Sequence, residues 1–153
     1  MAKYEESVHL AVPPDKVFAI IDDYVKLSGH MNSPSLMMGG GRMKTEMDEG
    51  HGQKVGSHIK LTGRAFGINI YLDEVITSYE PPYRKTWETV GEPKLLIIGS
   101  YKMGFEIMPM DDGSHLKVFI EYNPPKKFSF LEKLFGRLYA KWCVRQMLTS
   151  VQQ

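Results

Sequence analysis

The chain has 153 residues, the length of one domain with a sizeable core. A formal charge of +1, with 42% hydrophobic and 24% charged residues, excludes a disordered segment and a dedicated nucleic-acid binder. The single cysteine, Cys143, excludes an internal disulfide and a cysteine-based zinc site, and fits a reducing compartment.

In chain order, Tyr4 to Val12 alternates Val8, Leu10 and Val12 with Ser7, His9 and Ala11, which predicts a strand with one buried face. "PPDKVFAIIDD" then predicts a short helix, with proline at its entry, Asp15 at the positive end of the dipole, and Val17, Phe18, Ile20 and Ile21 at helical spacing. "YVKLSGHM" reads as a second short helix. From Leu36 to Tyr122 the period is two. Lys54 to Leu61 places Val55, Ser57, Ile59 and Leu61 on one face; Phe66 to Leu72 does the same for Phe66, Ile68, Ile70 and Leu72. Further strands are expected at Arg84 to Val90, Leu95 to Met108 and Ser114 to Tyr122, separated by turn-forming "YEPPY", "VGEPK" and "MDDGS". The chain closes on its longest helix, in which Phe130, Leu131, Leu134, Phe135, Leu138, Trp142 and Met147 recur at three and four residues. Residues 126–153 hold six Lys/Arg against one Glu, about +5, which leaves about −4 for the rest of the +1 total.

This order is α+β, one domain over residues 1–153, with a long helix covering the concave face of a curved antiparallel sheet. The opening "VHLAVPPDKVFAIIDD", the glycine-rich "EGHGQKVGSHIKL", the pair "LDEVITSYEPPYRKTWE" and the amphipathic C-terminal helix resemble the START-related helix-grip (SRPBCC) superfamily. That superfamily includes birch-pollen-allergen-like proteins, polyketide cyclases and lipid-transfer domains. The resemblance implies a helix-grip fold of about seven strands, and a hydrophobic pocket between sheet and long helix.

The glycine-rich loop raises the question of phosphate binding. Its spacing, G-x-G-x-x-x-G with Lys54 before the last glycine and a strand after it, matches neither a P-loop nor a dinucleotide loop. Gly50, Gly52 and Gly56 are better read as positions needing positive φ or a bulge, and the triplet "GGG" before Arg42 as a sharp strand bend. His9, His30, His51, His58 and His115 include no helical i, i+4 pair, so neither a metal nor another cofactor is expected. Cys143 beside Trp142 reads as a small buried hydrophobe, and no G-x-S-x-G elbow is present.

Candidate ligand-lining residues are Ile59, Leu61, Phe66, Ile68, Ile70, Leu72, Trp87, Tyr101, Met103, Phe105, Ile107, Val118 and Ile120 from the sheet, facing Leu134, Phe135, Leu138 and Trp142 from the helix. Candidate proton donors and acceptors are Tyr101, Glu74 and, more weakly, Glu106, whose parity is opposite to that of Phe105. Glu74 shares the parity of Ile70 and Leu72, but a bulge or a rim position would keep it out of the interior.

Three readings stay open: a binder or carrier of a small hydrophobic molecule (lipid-like, isoprenoid or aromatic polyketide-like), a cyclase or dehydratase, and a protein-interaction module using Phe119 and Tyr71 on the convex face. The stripe Lys133, Arg137, Lys141 and Arg145 reads most simply as a solvated face, with weak contact to an anionic membrane surface as its functional version. No nucleic-acid partner is expected, and the expected location is the cytoplasm, because no signal peptide or apolar run of the roughly 18 residues that span a bilayer is visible.

Overall fold

The computed structural model describes residues 2–22, 43–65, 68–91, 93, 98–124 and 129–152. The predicted second helix and the strand start at Leu36 lie outside the described residues.

The elements in order are β1 (Ala2–Leu10), α1 (Pro14–Ile21), β2 (Met43–Met47), β3 (His58–Ala65), β4 (Ile68–Glu80), β5 (Arg84–Thr89), β6 (Tyr101–Met110), β7 (Gly113–Tyr122) and α2 (Ser129–Gln152). They form an α+β fold with a seven-stranded sheet in the order β1-β7-β6-β5-β4-β3-β2. Every pairing is antiparallel, and β2 to β7 form a meander that β1 completes at the β7 edge. The helix-grip expectation holds. Strand bounds shift from expectation: β1 begins at Ala2 and ends at Leu10, β3 begins at His58, leaving Val55 exposed in the preceding loop, and β6 begins at Tyr101, the expected start at Leu95 lying outside the described residues.

α1 starts as its sequence dictates, with extended Pro13 at the cap, proline in the first turn, and Val17, Phe18 and Ile21 buried. It ends at Asp22, whose amide donates to Phe18 O at 2.9 Å. In the β6–β7 hairpin, Gly113 has φ +147°, and a Cβ there would meet Leu10 O of β1 at 2.0 Å. Glycine is what lets β1 lie close against this turn.

The core lies between the inner face of the sheet and the two helices, and α2 packs against β1, β7 and α1. The side of α2 that meets them is only partly the predicted one: Met147 is buried and Trp142 packs against the core as expected. Ala140, Val144, Met147, Leu148 and Val151 are buried, whereas Phe135 and Leu138 are 44% and 55% exposed. The expectation that Phe135 and Leu138 face the sheet is thereby corrected. Val144 and Val151 follow Ala140 at four and eleven residues, a sheet-facing stripe of small and β-branched side chains.

The basic stripe is also more engaged than a solvated face. Arg145 donates from Nε and Nη2 to the Glu6 carboxylate at 3.2 and 3.4 Å, and the Arg137 guanidinium lies 5.2 Å from the Tyr4 ring centroid. These contacts tie α2 along the edge strand. Burial raises the Glu6 carboxyl, but hydrogen bonds from Arg145 and Tyr4 and the charges of Arg145 and Lys141 outweigh it and hold it below its ordinary range.

Candidate functional site

The register sets out the inner face in rows. Ile59, Glu74 and Thr89 form one row, which Tyr101 joins by donating its amide to Thr89 Oγ1 at 3.1 Å. Ile76, Trp87, Met103, Ile120 and Tyr4 form the next. Beyond it come Tyr79, Lys85, Phe105, Val118 and Glu6. The apolar middle row therefore separates two polar groups on one face.

The first polar group is Glu74 with Tyr101. Glu74 is 3% exposed and accepts a short hydrogen bond from the Tyr101 hydroxyl. The parity argument places Glu74 correctly, and the rim or bulge alternative does not apply. A bulge does exist in β4, between Ile76 and Ser78, but it lies past Glu74. From α2, Tyr139 and Cys143 approach the same region. Burial, then the neighbouring Cys143 and the charge of Glu74, push the Tyr139 hydroxyl well up; burial and Glu74 push the Cys143 thiol up to about 12. Both shifts favour the protonated forms near neutral pH, against the thiolate that a nucleophilic cysteine needs.

The second group is not legible in the sequence. The bulge at Thr77 reverses the parity of β4 and turns Tyr79 inward. There the Tyr79 hydroxyl donates to Asp22 Oδ2 at 2.6 Å, while Lys85 Nζ makes a short ion pair with Asp22 Oδ1. The Lys85 and Asp22 side chains are 4% and 6% exposed. Gln53 Nε2 reaches the same carboxylate at 3.5 Å. Lys85 also lies 5.6 Å from the Tyr79 ring centroid and 5.8 Å from that of Trp87. Burial lowers the Lys85 amine, and the charges of Asp22 and Glu74 oppose that shift. Burial and the Asp22 bond push the Tyr79 phenol well up.

Among the other candidates, Ile59, Leu61, Ile70, Leu72, Trp87, Met103, Phe105, Ile107, Val118 and Ile120 are buried in the core. Trp142 and Tyr101 are partly buried against it. Phe66 and the side chains of Ile68 and Leu134 lie outside the described residues. Glu106 faces outward, bridged to Lys117 at 3.3 Å and Arg84 at 3.8 Å. Phe119, one of the two convex-face candidates, is buried over Gly104 with Lys3 above its ring, so only Tyr71 of that pair is exposed. Among the described residues, no group of three His, Cys, Asp or Glu side chains is placed to hold a metal ion. His9 pairs with Asp112 at 3.3 Å and His58 with Asp73 at 3.0 Å.

The glycine-rich loop between β2 and β3 binds its own side chains. Asp48 Oδ1 accepts from the Gly50 amide at 3.0 Å and from Ser57 Oγ at 2.6 Å, and Oδ2 accepts from the His58 amide at 2.7 Å. Ser57 Oγ in turn accepts from the Gly52 amide at 2.8 Å. These amides are already engaged, and a carboxylate occupies the place a phosphate would need. Gly52 and Gly56 have φ of +71° and +89°, as expected, and His51 shares the left-handed region at +52°. Gly50 is needed instead for space, since a Cβ there would meet Ser57 Oγ at 2.8 Å.

The bond from Ser57, then that from the His58 amide, lowers the Asp48 carboxyl below its ordinary 3.8. Its folded value is depressed, so its contribution to stability is fully present above the unfolded value and is lost as pH falls through the folded one. An NMR titration should show the Gly50 and His58 amide shifts moving together with a midpoint below 3.8, and no such step in Asp48→Asn. A midpoint at or above that value would refute this account of the loop.

A family model described as polyketide cyclase / dehydrase and lipid transport matches residues 1–152. No curated protein matches the chain. Solved structures similar to it include norcoclaurine synthase from Thalictrum flavum, with TM-score 0.65, 15% identity, and coverage of 98% of this chain and 83% of that one. A protein from Thermus thermophilus has TM-score 0.68 at 12% identity, covering 98% and 94%. Ara h 8.0201 has TM-score 0.56 at 16% identity, covering 97% and 98%. At these identities the likeness is one of fold.

Proposed function

The chain belongs to the polyketide cyclase/dehydrase and lipid transport family, and from that premise we propose that it binds a small hydrophobic molecule carrying one polar group, held between the inner face of the sheet and α2. The observation that carries this reading is Glu74, a buried carboxylate bonded by Tyr101 next to the apolar row of Ile76, Trp87, Met103 and Ile120, with Tyr139 and Cys143 of the helix beside it. Apolar side chains supply the affinity, at about 25 cal/mol per Å² of apolar surface removed from water. Glu74 and Tyr101 supply orientation, because a polar ligand group left without a partner in such surroundings costs about 1–3 kcal/mol.

A second reading, a cyclase- or dehydratase-type enzyme, draws on the same pair. A buried carboxylate and a phenol in hydrogen-bond contact can pass a proton to and from a bound chain, and Lys85 on the same face could polarise an oxygen.

Titration with a neutral phenylnaphthylamine dye, paired with native mass spectrometry of the purified chain, tests the proposal. A single saturable site is expected. Glu74→Gln should alter which polar ligands are retained, with about tenfold weaker binding of those that donate to the carboxylate. Absence of dye binding together with absence of any retained apolar molecule would overturn it. Retained binding in Tyr101→Phe with turnover of a polyketide-like chain abolished would favour the enzymatic reading.

A further inference from the structure

We infer that the outward side of α2 is a docking surface for an anionic lipid bilayer. Phe135 and Leu138, large apolar side chains three residues apart, stand exposed on this helix, and Trp142 continues their stripe four residues on. Phe135 and Leu138 lie on the other side of the helix from the buried Ala140, Val144, Met147 and Val151, while Trp142 is half-buried against the core at the edge of the stripe. A soluble helix ordinarily turns charge toward water here. Partly exposed Lys141, three residues after Leu138, borders these apolar side chains, and exposed Lys133 stands near the start of the helix, while Arg137 lies over the Tyr4 ring and Arg145 is committed to Glu6.

Charge selects the occupant. Residues 126–153 carry about +5 and the rest of the chain about −4, so an anionic surface attracts the α2 side and repels the body. Long basic side chains keep their heads at the phosphates while neighbouring apolar groups enter the acyl boundary. Among the described residues no helix is long and apolar enough to cross a membrane, so the contact is one of lying on the surface.

The test is co-sedimentation of the full chain with vesicles of phosphatidylcholine alone or mixed with phosphatidylglycerol. Binding to the mixed vesicles is expected, weakening as salt shortens the screening length. Phe135→Ser/Leu138→Ser should weaken it about tenfold or more, with an unchanged melting temperature because both positions are exposed. Lys133→Gln/Lys141→Gln should reduce the preference for the mixed vesicles. In the wild-type chain, vesicles with brominated acyl chains should quench Trp142 fluorescence, a readout that needs no variant. Three results would each overturn the proposal: no sedimentation with the mixed vesicles, binding untouched by the serine pair, or a wild-type dimer in ultracentrifugation that the serine pair dissociates. The last would show that a second copy covers this face.

Discussion

Asp22→Ala is expected to destabilise the chain by about 3–5 kcal/mol, the usual consequence of removing one partner of a buried ion pair. Lys85 would be left 4% exposed, its ammonium facing Trp87 and a Tyr79 hydroxyl that has lost its acceptor. The loss is large against the 5–15 kcal/mol or so that a domain of this size has in total. It should also depend on pH in a determinate direction. The folded Lys85 pKa is already lowered by burial, and without Asp22 it falls further. Between the depressed folded value and the unfolded one the unfolded chain binds more protons, so stability rises with pH across that window. The defect should be fullest below the folded value and shrink as pH climbs toward the ordinary lysine range near 10. Joint replacement, Asp22→Leu with Lys85→Met, should recover most of the loss, since a matched apolar pair is often neutral or better. Urea melts of both variants and the wild type at two pH values decide it. A single variant that loses less than about 1 kcal/mol would mean that Lys85 finds another partner.

Phe105→Ala should cost a similar 3–5 kcal/mol by a different route. Phe105 is fully buried at the centre of the inner face, edge-on to Phe18 of α1 at 5.5 Å and to Trp87 at 6.4 Å between ring centroids. Truncation loses the transfer energy of the ring, leaves a cavity, and removes two aromatic contacts worth about 0.5–1.5 kcal/mol each. Because the ring joins β6 to α1, the defect should reach Asp22 at the end of α1 and loosen the Lys85 pair. Phe105→Leu should cost clearly less, having more of the volume. The check is the urea midpoint of both variants, with the denaturant slope confirming two-state unfolding. An alanine variant within about 1 kcal/mol of wild type would show that neighbouring side chains collapse to fill the space.

What could be read in the sequence follows the reach of local physics. Period-two alternation in β3, β4, β6 and β7 named the inner face, because neighbouring strand side chains point to opposite sides whatever lies around them; it gave Glu74 inward parity without deciding between the interior and a bulge or rim. Proline and Asp15 located α1, and the misfit of the glycine-rich loop to phosphate-binding spacings removed a nucleotide reading. These signals, with the element order, sufficed for an α+β fold, and the family resemblance implied its helix-grip arrangement. Tertiary structure alone decided the rest. α2 carries apolar residues on more than one side, so its periodicity could not say which side meets the sheet. The structure buries Ala140 and Val144 there and leaves Phe135 and Leu138 exposed. Asp22 and Lys85 stand 63 residues apart and share no spacing, so only the packing of α1 on the sheet brings them together. Tyr79 carried the wrong parity until the bulge at Thr77 turned it inward. A strand pattern records which side chains share a face. Which opposing surface comes close enough to bury them depends on how the strands and helices meet, and that is not written in any local window of the chain.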